Sequence, residues 1–160
     1  MLEHLLPGVA HLQNIHPLLV HFPLAFLPAA ALFYFVAWRL RNEQLATTAF
    51  SLLMVGALAA AVAAGSGLYA EGGLMVSRSV RQQLLATHKK LMLVTTGVSI
   101  LLAVWAVTAR PFPQKGRLLF LLLFLVLLVI MGLGSDYGAR MVYDYNAGGD
   151  ACSQPIEFSR

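Results

Sequence analysis

The stretch "NIHPLLVHFPLAFLPAAALFYFVAW", residues 14–38, decides the fold class. From Pro17 to Trp38 it carries no Asp, Glu, Lys or Arg. It is long enough to cross about 30 Å of hydrocarbon, which takes roughly 20 helical residues. Four residues at its mouth are out of place in such a run: His16, Pro17, His21 and Pro23. Histidine is costly in lipid and proline is costly in a helix. Plain leucine would serve a simple anchor better.

Three more stretches have the same character. They are 45–69, "LATTAFSLLMVGALAAAVAAGSGLY"; 85–108, which contains "HKKLMLVTTGVSILLAVWAVT"; and 117–134, "RLLFLLLFLVLLVIMGLG". With the first run at 17–38, they leave only short connections and a polar tail, 135–160. The composition agrees: 59% of the 160 residues are hydrophobic and 11% charged, where a soluble domain carries about 25% charged. The sequence therefore predicts an all-α integral membrane four-helix bundle, one domain over 1–160. Membrane lipid is its surroundings, and other subunits of a membrane or redox complex are its expected partners. The net charge of +4 is spread thinly and gives no nucleic-acid signal. The start "MLEHLLPGVAHLQ" lacks a basic region and a small-residue cleavage site, so the first span is expected to target the chain itself.

Loop charge sets the expected orientation. "RLRNEQ" (39–44) and "RPFPQKGR" (110–117) are short and rich in Arg and Lys, which reads as cytoplasmic. Both termini, the loop 70–83 and the tail then lie on the outer, periplasmic side of a bacterial inner membrane. Arg78 and Arg81 work against this contrast; Asp136, Asp144, Asp150 and Glu157 in the tail support it. The second span is a ladder of small residues, Gly56, Ala60, Ala63, Ala64 and Gly67, and is expected at the centre of the bundle. The fourth, leucine on every side, is expected to face lipid or a partner and to carry no chemistry. Tyr34, Trp38 and Trp105 read as interfacial aromatics.

Odd-numbered spans start at the same membrane face, so His16 and His21 meet His88 there, together with the ends of spans two and four. Pro17 suits a first helical turn, while Pro23 and Pro28 predict a kink that opens this end. Paired histidines on facing helices are a standard way to hold haem in a bundle. His16 and His21 are five residues apart, about 140° around a helix, so they do not share one small centre. His21 with Ala25 and Pro28 forms one expected inward face; His88 with Met92, Thr95 and Thr96 forms the other. Lys89, Lys90 and Arg81 stand ready for haem propionates. His4 and His11 read as polar caps. The tail aspartates lack the dense alternation of a calcium loop. Cys152 alone excludes an intrachain disulfide and a CxxCH haem attachment.

"IHPLLVHFPLAF", "AAGSGLY", "LATHKKLML" and "GSDYGARMVYDYNAG" resemble, in that order, a bacterial four-helix family of predicted membrane proteins of unknown function. Its pattern is HPxxVHFP, an A–G turn often followed by Asp, a histidine on helix three and a closing GGxLVYxxG. This chain departs at Tyr69 and Glu71, where the Asp is often seen, and at "SDYGARMVYDY", which lacks the glycine pair. The layout is similar to the four-helix b-type cytochromes of the cytochrome b561 kind. That resemblance implies haem b, one or two groups, held by His21 and His88, with His16 as a further donor or the ligand of a second haem. The expected function is a membrane b-type cytochrome or cytochrome-like subunit moving electrons at the outer face. The alternatives are a cofactor-free accessory or anchoring subunit, and a copper or zinc site at the three histidines. No nucleophile–base pair or carboxylate dyad marks a stand-alone enzyme.

Overall fold

The computed structural model describes residues 15–74, 76–145 and 147. His4, His11, Asp150, Cys152 and Glu157 lie outside the described residues. Four helical spans, His16–Leu40, Glu43–Gly73, Arg78–Thr108 and Arg117–Tyr145, are each long and apolar enough to cross a membrane. No strand occurs among the described residues. The chain is an all-helical, multi-pass membrane protein.

The first span is broken once. One turn, His16–Leu19, precedes a helix from His21 to Leu40, with Val20 between them. Pro17 sits in the opening turn, where its missing N–H costs nothing. Pro23 has no N–H to offer the carbonyl of Leu19, and the break falls there. Pro28 is carried inside the continuous helix. Arg41, at φ 51°, turns the chain left-handed and ends the span. Asn42 then caps the second span, its side chain accepting from the Leu45 amide at 3.0 Å.

Small residues set the packing. The second span buries Ala46, Ala49, Leu53, Gly56, Ala57, Ala60 and Ala63, in steps of three or four apart from the adjacent Gly56 and Ala57, as one helix face requires. A Cβ at Gly56 would lie 2.8 Å from Leu27 Cδ2 and 3.3 Å from the Leu27 amide nitrogen. The first two helices thus meet almost backbone to backbone, the small-residue packing that holds helices together in lipid. Spans one and two share the most extensive contact; three packs on four, and two on three. Spans one and four touch least of the four neighbouring pairs, and one and three face each other diagonally.

Three expectations are corrected here. Tyr34 is fully buried and not interfacial. Its ring lies 4.9 Å from Phe112, 5.1 Å from Phe120 and 5.8 Å from Phe124, and its hydroxyl donates to the Pro111 carbonyl at 3.1 Å. The loop 110–116 folds back into the bundle, and Trp105 joins the cluster edge-on to Phe120 at 5.6 Å. Second, the inward face of the first span is Pro23, Leu27, Ala30, Tyr34 and Ala37, whereas His21 and Ala25 are exposed. Third, the fourth helix runs on to Tyr145, past Gly134. Burial outweighs the polarity of "SDYGARMVYDY": Met141 packs with Val80, Leu84, Leu85 and Ala147, and Tyr137 lies against them.

Candidate functional site

Two of the three candidate histidines come together. His16, in the first turn of the first span, and His88, near the start of the third, line one cavity of about 50 Å³. Val20, Pro23, Leu24, Ala60, Ala63, Ala64, Met92, Thr95, Thr96 and Met131 complete its wall. The two histidines enter from diagonal spans, so the cavity lies between all four helices. His21 points away: it is exposed, and its Nδ1 lies 3.3 Å from the Leu18 carbonyl in the opening turn of its own span.

Each inward imidazole is seated on a glycine. A Cβ at Gly67 would come within 2.8 Å of His16 Cε1, and a Cβ at Gly138 within 2.9 Å of His88 Cε1. Any larger residue would have to displace the ring. Gly134, one turn before Gly138, is equally close-packed: a Cβ there would meet Leu91 Cβ at 3.0 Å and the terminal methyl of Met92. The fourth span, expected to be featureless, thus supplies the floor under one histidine.

Hydrogen bonds fix how the rings are held. His88 Nδ1 lies 2.7 Å from the Gly134 carbonyl oxygen. A carbonyl only accepts, so His88 Nδ1 carries the proton. His16 Nδ1 lies 3.0 Å from Ser66 Oγ, and Ser66 donates its one hydroxyl proton to the Ala63 carbonyl at 2.9 Å. Ser66 therefore accepts from His16, whose Nδ1 is the donor as well. In neutral His88 the lone pair then falls on Nε2, while His16 has the Ala63 carbonyl as a further partner. Ligating histidines are held in this way, the second ring nitrogen donating to a carbonyl or other oxygen that fixes tautomer and orientation.

Below the histidines, Thr95 and Ser99 are buried on the third span, with half-buried Thr96 beside them. Their protons go to helix carbonyls: Thr95 to Leu91, Thr96 to Met92 at 2.9 Å and Ser99 to Thr96. Thr96 also reaches the Ala60 carbonyl of the second span at 3.4 Å.

The three cations expected at the site have other positions. Lys89 pairs with both carboxylate oxygens of Glu71, at 2.8 and 2.9 Å. Arg81 donates to the carbonyls of Glu71 at 3.3 Å and Leu74 at 2.7 Å. Both tie the end of the second span to the start of the third. Lys90 is exposed. Among the described residues no three His, Cys, Asp or Glu side chains gather as a metal-binding group, so the three-histidine copper or zinc site is not assembled.

Ser66, Gly67, Gly134 and Gly138 are the site residues that the sequence reading did not single out for this role. A usable signal was present: glycine four residues from glycine in "GLGSDYG", and glycine beside serine in "AAGSG", mark close helix approach.

Fold and site together define a class: a four-span helical membrane protein with a pair of inward, glycine-seated histidines between its helices. The chain belongs to the family described as "Predicted membrane protein (DUF2231)", whose model matches residues 12–151. No curated protein and no solved structure matches it.

Proposed function

We propose that the chain is an electron-carrying membrane module that takes a haem b between His16 and His88, at the outer face of a bacterial inner membrane. The observation that carries this reading is the pair of Nδ1-anchored imidazoles, brought by diagonal spans to one cavity. The donor chemistry suits the group. His16 and His88, with apolar and small residues around them, would hold a haem iron more readily than a bare divalent cation, which would call for further donors. Relative to the sequence reading, His16 replaces His21 as the partner of His88.

The cavity sets a condition on this reading. Its volume of about 50 Å³ has room for one or two waters, each taking about 30 Å³. A macrocycle needs the helices to part, and the seam between spans one and four has the least contact to lose. Bound there, a haem would take up and release one electron at a time. The chain's own residues orient the two imidazoles through Ser66 and Gly134 and line the space between them largely with alanine and methionine. The orientation rests on where the cations sit. The short connections opposite the histidines carry Arg39, Arg41, Arg110, Lys115 and Arg117 against Glu43 alone. At the histidine end, Arg78, Arg81, Lys89, Lys90 and Arg140 are offset by Glu71, Asp136 and Asp144.

The same small cavity favours a second reading, a cofactor-free accessory subunit of a larger membrane complex. One experiment separates the two. A reduced-minus-oxidised spectrum of the haem-supplied, purified protein should show Soret and α bands in the wild type and His21→Ala. Both bands should vanish in His16→Ala and His88→Ala. A flat spectrum from folded wild type overturns the haem reading in favour of the accessory subunit.

A further inference from the structure

A second concavity opens on the outside of the bundle and shares no lining residue with the histidine cavity. It is a groove of about 390 Å³ between spans two and three. Ala57 and Ala103, both buried, form its floor; exposed Leu58, Ile100 and Val104 form its walls. From Met54 to Ala61 it runs about 10 Å along the second helix at 1.5 Å per residue. At its mouth, one turn beyond Met54, the exposed Arg110 crosses from the end of span three and sets its guanidinium 5.7 Å from the Phe50 ring centroid.

We infer that this groove binds one acyl chain of an anionic phospholipid, with Arg110 taking the phosphate. The groove lies within the apolar length of spans two and three, so its natural occupant is hydrocarbon. A partner helix about 10 Å wide would ride on the Leu58 and Val104 ridges and leave the alanine floor empty. A single methylene chain reaches it. Charge selects the headgroup: the same end of the bundle carries Arg39, Arg41, Arg110, Lys115 and Arg117 against one acid, Glu43. Basic residues at a membrane surface attract anionic lipid, by about fivefold in binding for each one. This site is independent of the histidine cavity.

Native mass spectrometry of the delipidated protein, titrated with phosphatidylglycerol and then phosphatidylcholine, tests the inference. The wild type should retain one phosphatidylglycerol with at least about fivefold preference over phosphatidylcholine, the least that one cation is worth. Arg110→Gln should lower the preference about fivefold while still holding one lipid, and Arg110→Lys should keep it. Ala61→Phe, at an exposed position that leaves the bundle intact, should hold neither lipid. Equal retention of the two lipids by the wild type, or an unchanged preference in Arg110→Gln, overturns the inference. So does a dimer that Ala61→Phe dissociates, which would give the groove to a second copy of the chain.

Discussion

His88 Nδ1 and the carbonyl oxygen of Gly134 lie 2.7 Å apart, bridging two spans from positions 46 residues distant in sequence. The contact depends on the absence of side chains below it. A methyl at Gly138 would come within 2.9 Å of His88 Cε1 and 3.1 Å of its Nδ1. Gly138→Ala should therefore push the ring off its acceptor and cost about 1–3 kcal/mol, as overpacking does. Thermal unfolding in detergent reads the loss, and Gly132→Ala is the control, since a Cβ at Gly132 meets nothing within 4 Å.

Ser66 plays the matching part for His16. Ser66→Ala removes an acceptor at 3.0 Å, which in lipid-embedded proteins is worth about 0.6 kcal/mol on average. The stability change should be small and the orientation change larger. Nitrogen NMR of ring-labelled histidine should show the His16 signals shifting in Ser66→Ala, as its ring turns to the Ala63 carbonyl alone, while His88 keeps its Nδ1–H form. A wild type in which His88 is protonated at Nε2 would contradict the hydrogen bond to Gly134.

The four spans were legible because length and apolar composition alone mark a crossing segment. Which side of each helix faces inward was not. In soluble proteins the polar face betrays the buried one; here Leu24, Leu32 and Phe35 are exposed while Leu27 and Tyr34 are buried, with no change of polarity between them. The register has a hidden order nonetheless. His16, Pro23, Leu27, Ala30, Tyr34 and Ala37 recur at steps of seven, four, three, four and three, the spacing of one helix face. His21, two residues before Pro23, falls about 200° away. Small residues were the better guide, since Gly67, Gly134 and Gly138 mark where the histidines lie.

Exposure gives His21 a clear expectation. Its ring bonds weakly to its own span and touches neither the cavity nor another span's hydrogen-bonding groups. His21→Ala should change stability by no more than about 0.5 kcal/mol. Denaturation in mixed detergent should separate it plainly from His88→Ala, which strips the Gly134 contact and leaves a void.

At the other end of the bundle, fully buried Tyr34 should be sensitive to truncation. Removing only its hydroxyl, in Tyr34→Phe, leaves the ring cluster intact and costs about 1 kcal/mol for the bond to Pro111. Tyr34→Ala empties a fully buried site against three phenylalanines and should cost about 3–5 kcal/mol. The ratio between the two variants measures how much of the site is packing. Near-equal losses would mean that the hydroxyl, not the ring, anchors loop 110–116.

The Glu71–Lys89 pair distinguishes a brace from a ligand contact. Both side chains are partly exposed, 28% and 37%, so the pair should be worth no more than about 1 kcal/mol despite its two short bonds. Glu71→Gln should lower thermal stability slightly, and 1 M salt, with a screening length of about 3 Å, should erase most of the difference from wild type. Lys89→Gln should then match Glu71→Gln in size and salt dependence, because each breaks the same pair. If Lys89 instead served an anionic group bound between the histidines, Lys89→Gln would weaken that binding while Glu71→Gln, freeing the lysine, would strengthen it. Opposite signs in the two variants would thus move Lys89 from the helix brace to the site.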